Sequence, residues 1–193
     1  MRNTRSGNRL ILASASPRRK ILLQKHRIPF RTIPSGIPEP PPRRDLPASF
    51  AKKLALAKAT HVAAKLRRGT VLGADTIVVL KKKIYGKPNS FRDACRILEK
   101  LQGTTHQVIT GVALVDAATG RKKTGHAVSR VMMKPLSLGE IRRYAAKHPD
   151  KAGSYAVQEK NDSVVLKIKG SYSNVVGLPM ELVKKMLKKF SRR

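Results

Sequence analysis

The chain has 193 residues, enough for one α/β domain with a core of its own, arranged as two lobes around a cleft. Apolar residues make up 40% and aromatics only 4%, so the core must rest on Leu, Ile, Val and Ala. Lys and Arg number 42 against 11 Asp and Glu, a formal net charge of +31 that attracts polyanions (nucleic acid, anionic lipid or nucleotides) and carries no information about fold.

The basic residues are spread along the chain and do not form the block of a disordered nucleic-acid-binding tail; a proteome-wide basic habit accounts for them equally well. Cys95 is the only cysteine, which excludes an intrachain disulfide framework and a cysteine-based zinc site and fits a reducing cytoplasm. After the basic start at Arg2 and Arg5, the apolar run Leu10 to Ala13 is too short for a signal-peptide core, and no stretch approaches the roughly 18 apolar residues of a membrane span. Residues 1–8 read as a loose extension and 9–193 as a single cytoplasmic domain with no membrane segment.

In chain order, Leu10–Ala13 predicts a short buried strand. Ser14 to Pro17 starts a helix, with Ser16 able to cap it and Pro17 suited to the first helical position. Ile28–Ile33 predicts a second strand, and the proline-rich stretch Pro34 to Pro47 a stiff loop. Ala48–Leu66 is helical, with Ala51, Leu54, Ala55, Ala59 and Val62 on one face. Val71–Leu80 is apolar nearly throughout, as in a central strand covered on both faces, and Lys81–Lys83 is a polar turn. A helix follows at Ser90–Leu101, then strands at Val108–Val115 and Ala127–Met133 around a turn containing Gly120. Ser137–Lys147 is a helix opened by a Ser137/Glu140 capping box; Val164–Ile168 is a strand and Pro179–Phe190 a terminal helix. Alternating helices and strands imply an α/β fold with a mixed sheet.

The informative residues are polar ones where the pattern calls for apolar ones. Asp75 lies mid-strand in Val71-Leu72-Gly73-Ala74-Asp75-Thr76-Ile77. Burying a lone carboxylate costs several kcal/mol, so Asp75 needs a metal or a cationic partner, or marks a bulge at a cleft; the plain alternative is a strand-end Asp held by backbone amides. Lys58 falls on the inward stripe of its helix and either snorkels to the rim or points into an anion site. Lys87, between Gly86 and Pro88, is either a held ammonium or part of a surface turn. Ser14-Ala15-Ser16-Pro17-Arg18-Arg19 combines two hydroxyls, two guanidiniums and a helix N-terminus, a ready phosphate site or an ordinary capped helix with a basic surface. Glu39 reads by position as a solvated loop glutamate. The five histidines show no HxxxH or HExxH spacing, and no GxSxG elbow appears, which argues against a zinc hydrolase and a Ser-His-Asp enzyme.

Six motifs in order, spanning Leu10 to the terminal helix, resemble the Maf family of nucleotide pyrophosphatases. They are Leu12-Ala13-Ser14-Ala15-Ser16-Pro17-Arg18-Arg19, Leu54-Ala55-Leu56-Ala57-Lys58-Ala59, Gly73-Ala74-Asp75-Thr76, Gly86-Lys87-Pro88, Lys151-Ala152-Gly153-Ser154-Tyr155-Ala156-Val157-Gln158, and Gly170-Ser171-Tyr172 with Val175-Val176-Gly177-Leu178-Pro179. The resemblance implies a two-lobed, inosine-triphosphatase-like α/β fold with the active site in the cleft, and hydrolysis of a nucleoside triphosphate between its α- and β-phosphates with Mg²⁺ or Mn²⁺. It places the catalytic and metal-holding carboxylates on Asp75 and Glu39, and the phosphate-binding cations on Arg19, Lys58 and Lys87 beside Ser14 and Ser16. The dTTP/UTP subgroup's base-reading residues fall on Arg18, Thr76 and Gln158. The chain departs from the family at Glu159-Lys160-Asn161-Asp162, where a glycine-containing turn is usual. A homodimer that touches nucleic acid only non-specifically is expected. The rival readings are a basic nucleic-acid-binding module, disfavoured by scarce aromatics, and a nucleotide-binding regulator of cell division without turnover.

Overall fold

The computed structural model describes residues 10–38, 40, 46–148, 151–155, 157 and 164–191; the extension read over 1–8, Glu39, Gln158 and the departure at 159–162 lie outside the described residues. Strand β3 (Thr70–Leu80) is the axis of the fold. One of its edges pairs antiparallel with β5 (Thr105–Asp116) from Thr70↔Asp116 to Val79↔Gln107, and β6 (Lys122–Met133) and β7 (Val165–Lys169) extend the sheet from there. The other edge is shared. β1 (Leu10–Leu12) lies parallel to Thr70–Leu72 with β2 (Phe30–Thr32) outside it, while β4 (Lys83–Tyr85) turns back antiparallel along Val78–Leu80. Among the described residues seven strands form one mixed sheet, and residues 73–77 of β3 face a gap between β1 and β4. The expected α/β class with a mixed sheet is the fold found.

Among the described residues six α-helices cover the sheet: α1 (Pro17–Lys25), α2 (Pro47–Ala63), α3 (Phe91–Leu101), α4 (Leu138–Lys147), α5 (Tyr172–Val176) and α6 (Met180–Phe190). Period-two alternation sends Val71 and Ala113 to one face, against Ala55, Ala59 and Val62 of α2; Ile77, Val79 and Ile109 meet Phe50 and Leu54 of the same helix. On the opposite face Leu72, Val112 and Leu114 pack under α1 and α6, whereas Val78, Val108 and Val131 pack under α3 and α4. That face therefore carries two separate cores, and the cleft opens between them.

Two glycines let α2 sit close to the sheet. A Cβ on Gly73 would stand 2.2 Å from the Ala55 carbonyl oxygen, and one on Gly111 2.2 Å from that of Ala51. This approach carries Lys58, one turn beyond Leu54, over Asp75.

Several boundaries differ from expectation for identifiable reasons. Pro47 is the first residue of α2 and not the end of a loop, because a proline at this position forfeits no helical hydrogen bond. Lys81 and Lys82, both at positive φ, form a two-residue hairpin to β4, a strand hidden by its length of three residues and by a turn without Asn or Gly. β6 begins at Lys122, where ladder bonds to β5 outweigh a polar sequence. α5, five residues long, was not expected; the Ser171 side chain caps it by accepting from Asn174 N, and Gly177 ends it at φ +117°. Ser16 occupies the cap position of α1, yet its side chain makes no cap bond; its backbone N–H donates to Ser14 Oγ at 3.2 Å. The Ser137/Glu140 capping box is present, and the Ser137 backbone N–H is the largest cause holding the Glu140 carboxyl down at about 2.

Candidate active site

A cleft of about 490 Å³ lies at the gap in the edge of β3. It gathers Ser14, Ser16, Arg18, Arg19, Lys58, Asp75, Thr76 and Lys87 from four separate segments of the chain. These are all the sequence-nominated residues that fall within the described chain.

Asp75 and Lys58 form an ion pair, Nζ to Oδ1 at 2.5 Å, with the residues 5% and 7% exposed. The cationic partner that Asp75 calls for is present in Lys58, which turns inward and not to the rim. A pair so buried is costly to desolvate and is poor evidence of a stability role. Both residues stand on the wall of an open cleft.

Arg19 is braced on three sides. Nε donates to Gly177 O at 2.9 Å, Nη1 to Ser14 Oγ at 3.1 Å and Nη2 to Thr76 Oγ1 at 3.2 Å. The guanidinium thus joins the β1–α1 turn, β3 and the end of α5. Behind it, Thr76 Oγ1 lies 3.0 Å from Thr110 Oγ1, and Thr110 Oγ1 donates to Asn174 O at 3.0 Å. Asn174 Nδ2 in turn donates to Val108 O and Ser129 Oγ. Thr110 and Asn174 were not singled out from sequence. The signal for Thr110 was there: a hydroxyl within Val108-Ile109-Thr110-Gly111-Val112, the same anomaly that exposes Asp75.

Lys87 lines the cleft from the β4–α3 loop, and Gly153 N–H donates to Gly86 O at 3.3 Å, tying that loop to the segment bearing Lys151 and Tyr155. Tyr155 forms part of the wall, its hydroxyl 2.7 Å from Nε2 of His106 and the two rings edge to face at 5.5 Å. His106 is 1% exposed; burial lowers its pKa to about 4 and raises that of the Tyr155 phenol, so both are neutral near pH 7. The unfolded chain takes up a proton on His106 below its ordinary 6.5 while the folded chain refuses it until about 4. Stability should therefore be full above pH 6.5 and fall by about 3 kcal/mol as pH drops to 4. Urea titrations across that window should show a shallower fall in His106→Gln; parallel falls would show that His106 is not the group responsible.

The donor set suits a divalent cation carried by phosphate. Mg²⁺ and Mn²⁺ take oxygen ligands and are commonly held by one or two carboxylates plus phosphate oxygens. Among the described lining residues the cleft offers one carboxylate, Asp75, and the described residues hold no group of three or more His, Cys, Asp or Glu that could form an all-protein cage.

Fold and crevice together define a mixed-sheet α/β protein whose hydroxyls, cations and one buried carboxylate converge on a split sheet edge. The family model described as Maf-like protein matches residues 9–190, and the chain belongs to the Maf family. It is similar to the dTTP/UTP pyrophosphatase of Pelotomaculum thermopropionicum, 44% identical over 183 residues, covering 94% of this chain and 96% of that protein. It is also similar to the dTTP/UTP pyrophosphatases of Elusimicrobium minutum, 43% identical with coverage of 94% and 98%, and of Moorella thermoacetica, 45% identical with coverage of 93% and 94%. Among the described residues no helix is long and apolar enough to cross a membrane.

Proposed function

We propose that this protein hydrolyses dTTP and UTP to the nucleoside monophosphate and pyrophosphate. The observation that carries the reading is the buried Lys58–Asp75 pair opening onto a cleft that also holds Ser14, Arg19 and Lys87, in a chain 43–45% identical to proteins named for this activity. In the reaction a water oxygen bonds to the α-phosphorus, the bond from that phosphorus to the bridging oxygen breaks, and its electron pair leaves on pyrophosphate. The water loses one proton.

Positioning and electrostatics supply most of the catalysis in such transfers. Asp75 and Glu39 divide two duties, holding the divalent cation and taking the proton of the water. The cation, when bound, neutralises phosphate charge as the leaving group departs. Lys58 offsets the carboxylate charge of Asp75 and, with Lys87 and Arg19, attracts phosphate oxygens; Ser14 and Ser16 offer hydroxyls at the mouth of α1. Arg19, braced by three protein acceptors, also sets the shape of the turn.

Base choice rests on Arg18, Thr76 and Gln158. A hydroxyl has one donor and two acceptor sites. Because Thr110 donates to Asn174 O, Thr76 donates to Thr110 and accepts from Arg19; its 3.5 Å approach to Gly177 O is at the limit of a bond. What remains to Thr76 is one acceptor site. That suits the N3–H donor shared by uracil and thymine and lacking in cytosine. Thr110→Val removes the fixed acceptor and lets Thr76 turn its hydrogen toward the base, so the UTP-over-CTP preference in kcat/KM should fall by about tenfold with folding intact. An unchanged ratio would remove Thr76 from base selection.

The function is tested by incubating the pure protein with Mg²⁺ and each common nucleoside triphosphate and resolving the products. UMP or dTMP with pyrophosphate is expected. Release of orthophosphate, or no product together with salt-sensitive RNA binding, would overturn the reading.

A further inference from the structure

A second cavity, of about 510 Å³, opens on the far side of the same gap and shares Asp75, Thr76 and Lys87 with the first. Its floor is apolar, formed by Phe50 and Leu54 of α2, Ile77 of β3, Ile84 of β4 and Ile97 of α3. Its cations are Lys83, Lys87, Arg96 and Lys100, all exposed, against Asp93 on the wall and Asp75 at the junction. Asp93 is engaged by its own helix start, where its carboxylate accepts from Asn89 N at 3.1 Å. Arg96 and Lys100 stand four residues apart on α3, on one face of that helix. Among the described lining residues cations outnumber carboxylates four to two over a low-dielectric floor, and such an excess draws a small anion.

We propose that this second cavity binds pyrophosphate, receiving the leaving group through the gap in the sheet edge. The inference rests on the hydrolytic reading above. With the α-phosphorus at the Asp75–Lys58 junction, the hydroxyl-rich first cavity holds the nucleoside monophosphate portion. The in-line attack then pushes the departing group away from the water and toward Lys87, the cation common to both cavities. One phosphorus–oxygen bond forms, one breaks, and the electron pair leaves with pyrophosphate. Lys83, Arg96 and Lys100 line the second cavity and not the first, so they meet the two phosphates that leave and not the one that stays.

Calorimetric titration in Mg²⁺ buffer with inorganic pyrophosphate, and separately with UMP, tests this without turnover. Arg96→Glu/Lys100→Glu should weaken pyrophosphate binding by about tenfold or more and leave UMP binding within about twofold. A matched charge change on the exposed face of α6, Lys184→Glu/Lys188→Glu, controls for the net charge of +31 and should leave pyrophosphate binding within about twofold. Equal weakening by both pairs, or no weakening by the first, would overturn the proposal, as would loss of UMP binding in place of pyrophosphate, which would assign the cavity to the nucleoside. Should the first pair fail to fold by circular dichroism, Arg96→Ala is read in the same way, with a few-fold weakening expected. If the wild-type protein turns over no triphosphate, the hydrolytic reading fails, while the pyrophosphate titration still decides what this cavity binds.

Discussion

Asp75→Asn is expected to lower kcat for UTP by about 10²- to 10⁴-fold, the range for losing a positioned proton-transfer or charge-stabilising group, while nucleotide binding stays within a few-fold of wild type or tightens. The physical basis is the pair at 2.5 Å. Asparagine keeps an acceptor for Lys58 Nζ but loses the charge that, in the proposed mechanism, would hold a divalent cation or accept a proton. Removing one partner of a buried pair outright costs about 3–5 kcal/mol because the other charge is left uncompensated. The amide, which still accepts, should cost less, so the variant should remain folded. A negative charge also disappears beside the triphosphate, which favours ground-state binding. Rapid-quench turnover with calorimetric binding of UTP separates these effects. Normal turnover would dismiss Asp75 from the chemistry, and loss of binding in step with turnover would make its role one of ligand attachment.

Gly73→Ala should destabilise the protein by about 3 kcal/mol or more, the upper part of the range for overpacking a filled core. The new methyl would stand 2.2 Å from the Ala55 carbonyl oxygen and 2.9 Å from Ala59 Cβ, both on α2. Backbone cannot swing aside as a side chain can, so the helix must lift. For a chain of this size that loss corresponds to a fall in Tm of about 6–12 °C. Because α2 carries Lys58, the shift should also lengthen the contact to Asp75, and misplacement on the order of 1 Å can cost about 10²-fold in rate. Gly139→Ala is the control: the site is exposed in the first turn of α4, with the nearest neighbouring atom 4.0 Å from a built Cβ, and the change should stabilise by about 0.5 kcal/mol. Thermal melts and kcat on both variants check the pair. A Gly73→Ala protein as stable and active as Gly139→Ala would mean that the close approach of α2 is not what holds the site together.

Much of the site was legible because charge and polarity in apolar stretches are conspicuous. Asp75 within β3 and Lys58 on the inner stripe of α2 stand out by period and by desolvation cost alone. The β1–α1 turn carries its serines and arginines where a helix N-terminus begins, and Lys87 sits between Gly86 and Pro88. Ser16 shows the limit of such reasoning. Residue type and position argued for a capping side chain, but geometry gave its backbone N–H to Ser14 Oγ. β4 and α5 escaped notice since three and five residues are too few to display a period.

By itself, then, the sequence determined which charged and polar side chains stand out of place in apolar stretches, that β3 lies buried on both faces and where most helices begin, because hydrophobic period, caps and the expense of burying charge are local properties. Tertiary structure decided what no local property contains. β1 and β4 divide one edge of β3 and leave residues 73–77 open between them, Arg19 reaches Gly177 across 158 positions, and Lys58 meets Asp75 through glycines that let a helix touch a sheet. Those contacts depend on which elements pack together, and packing is a property of the whole chain.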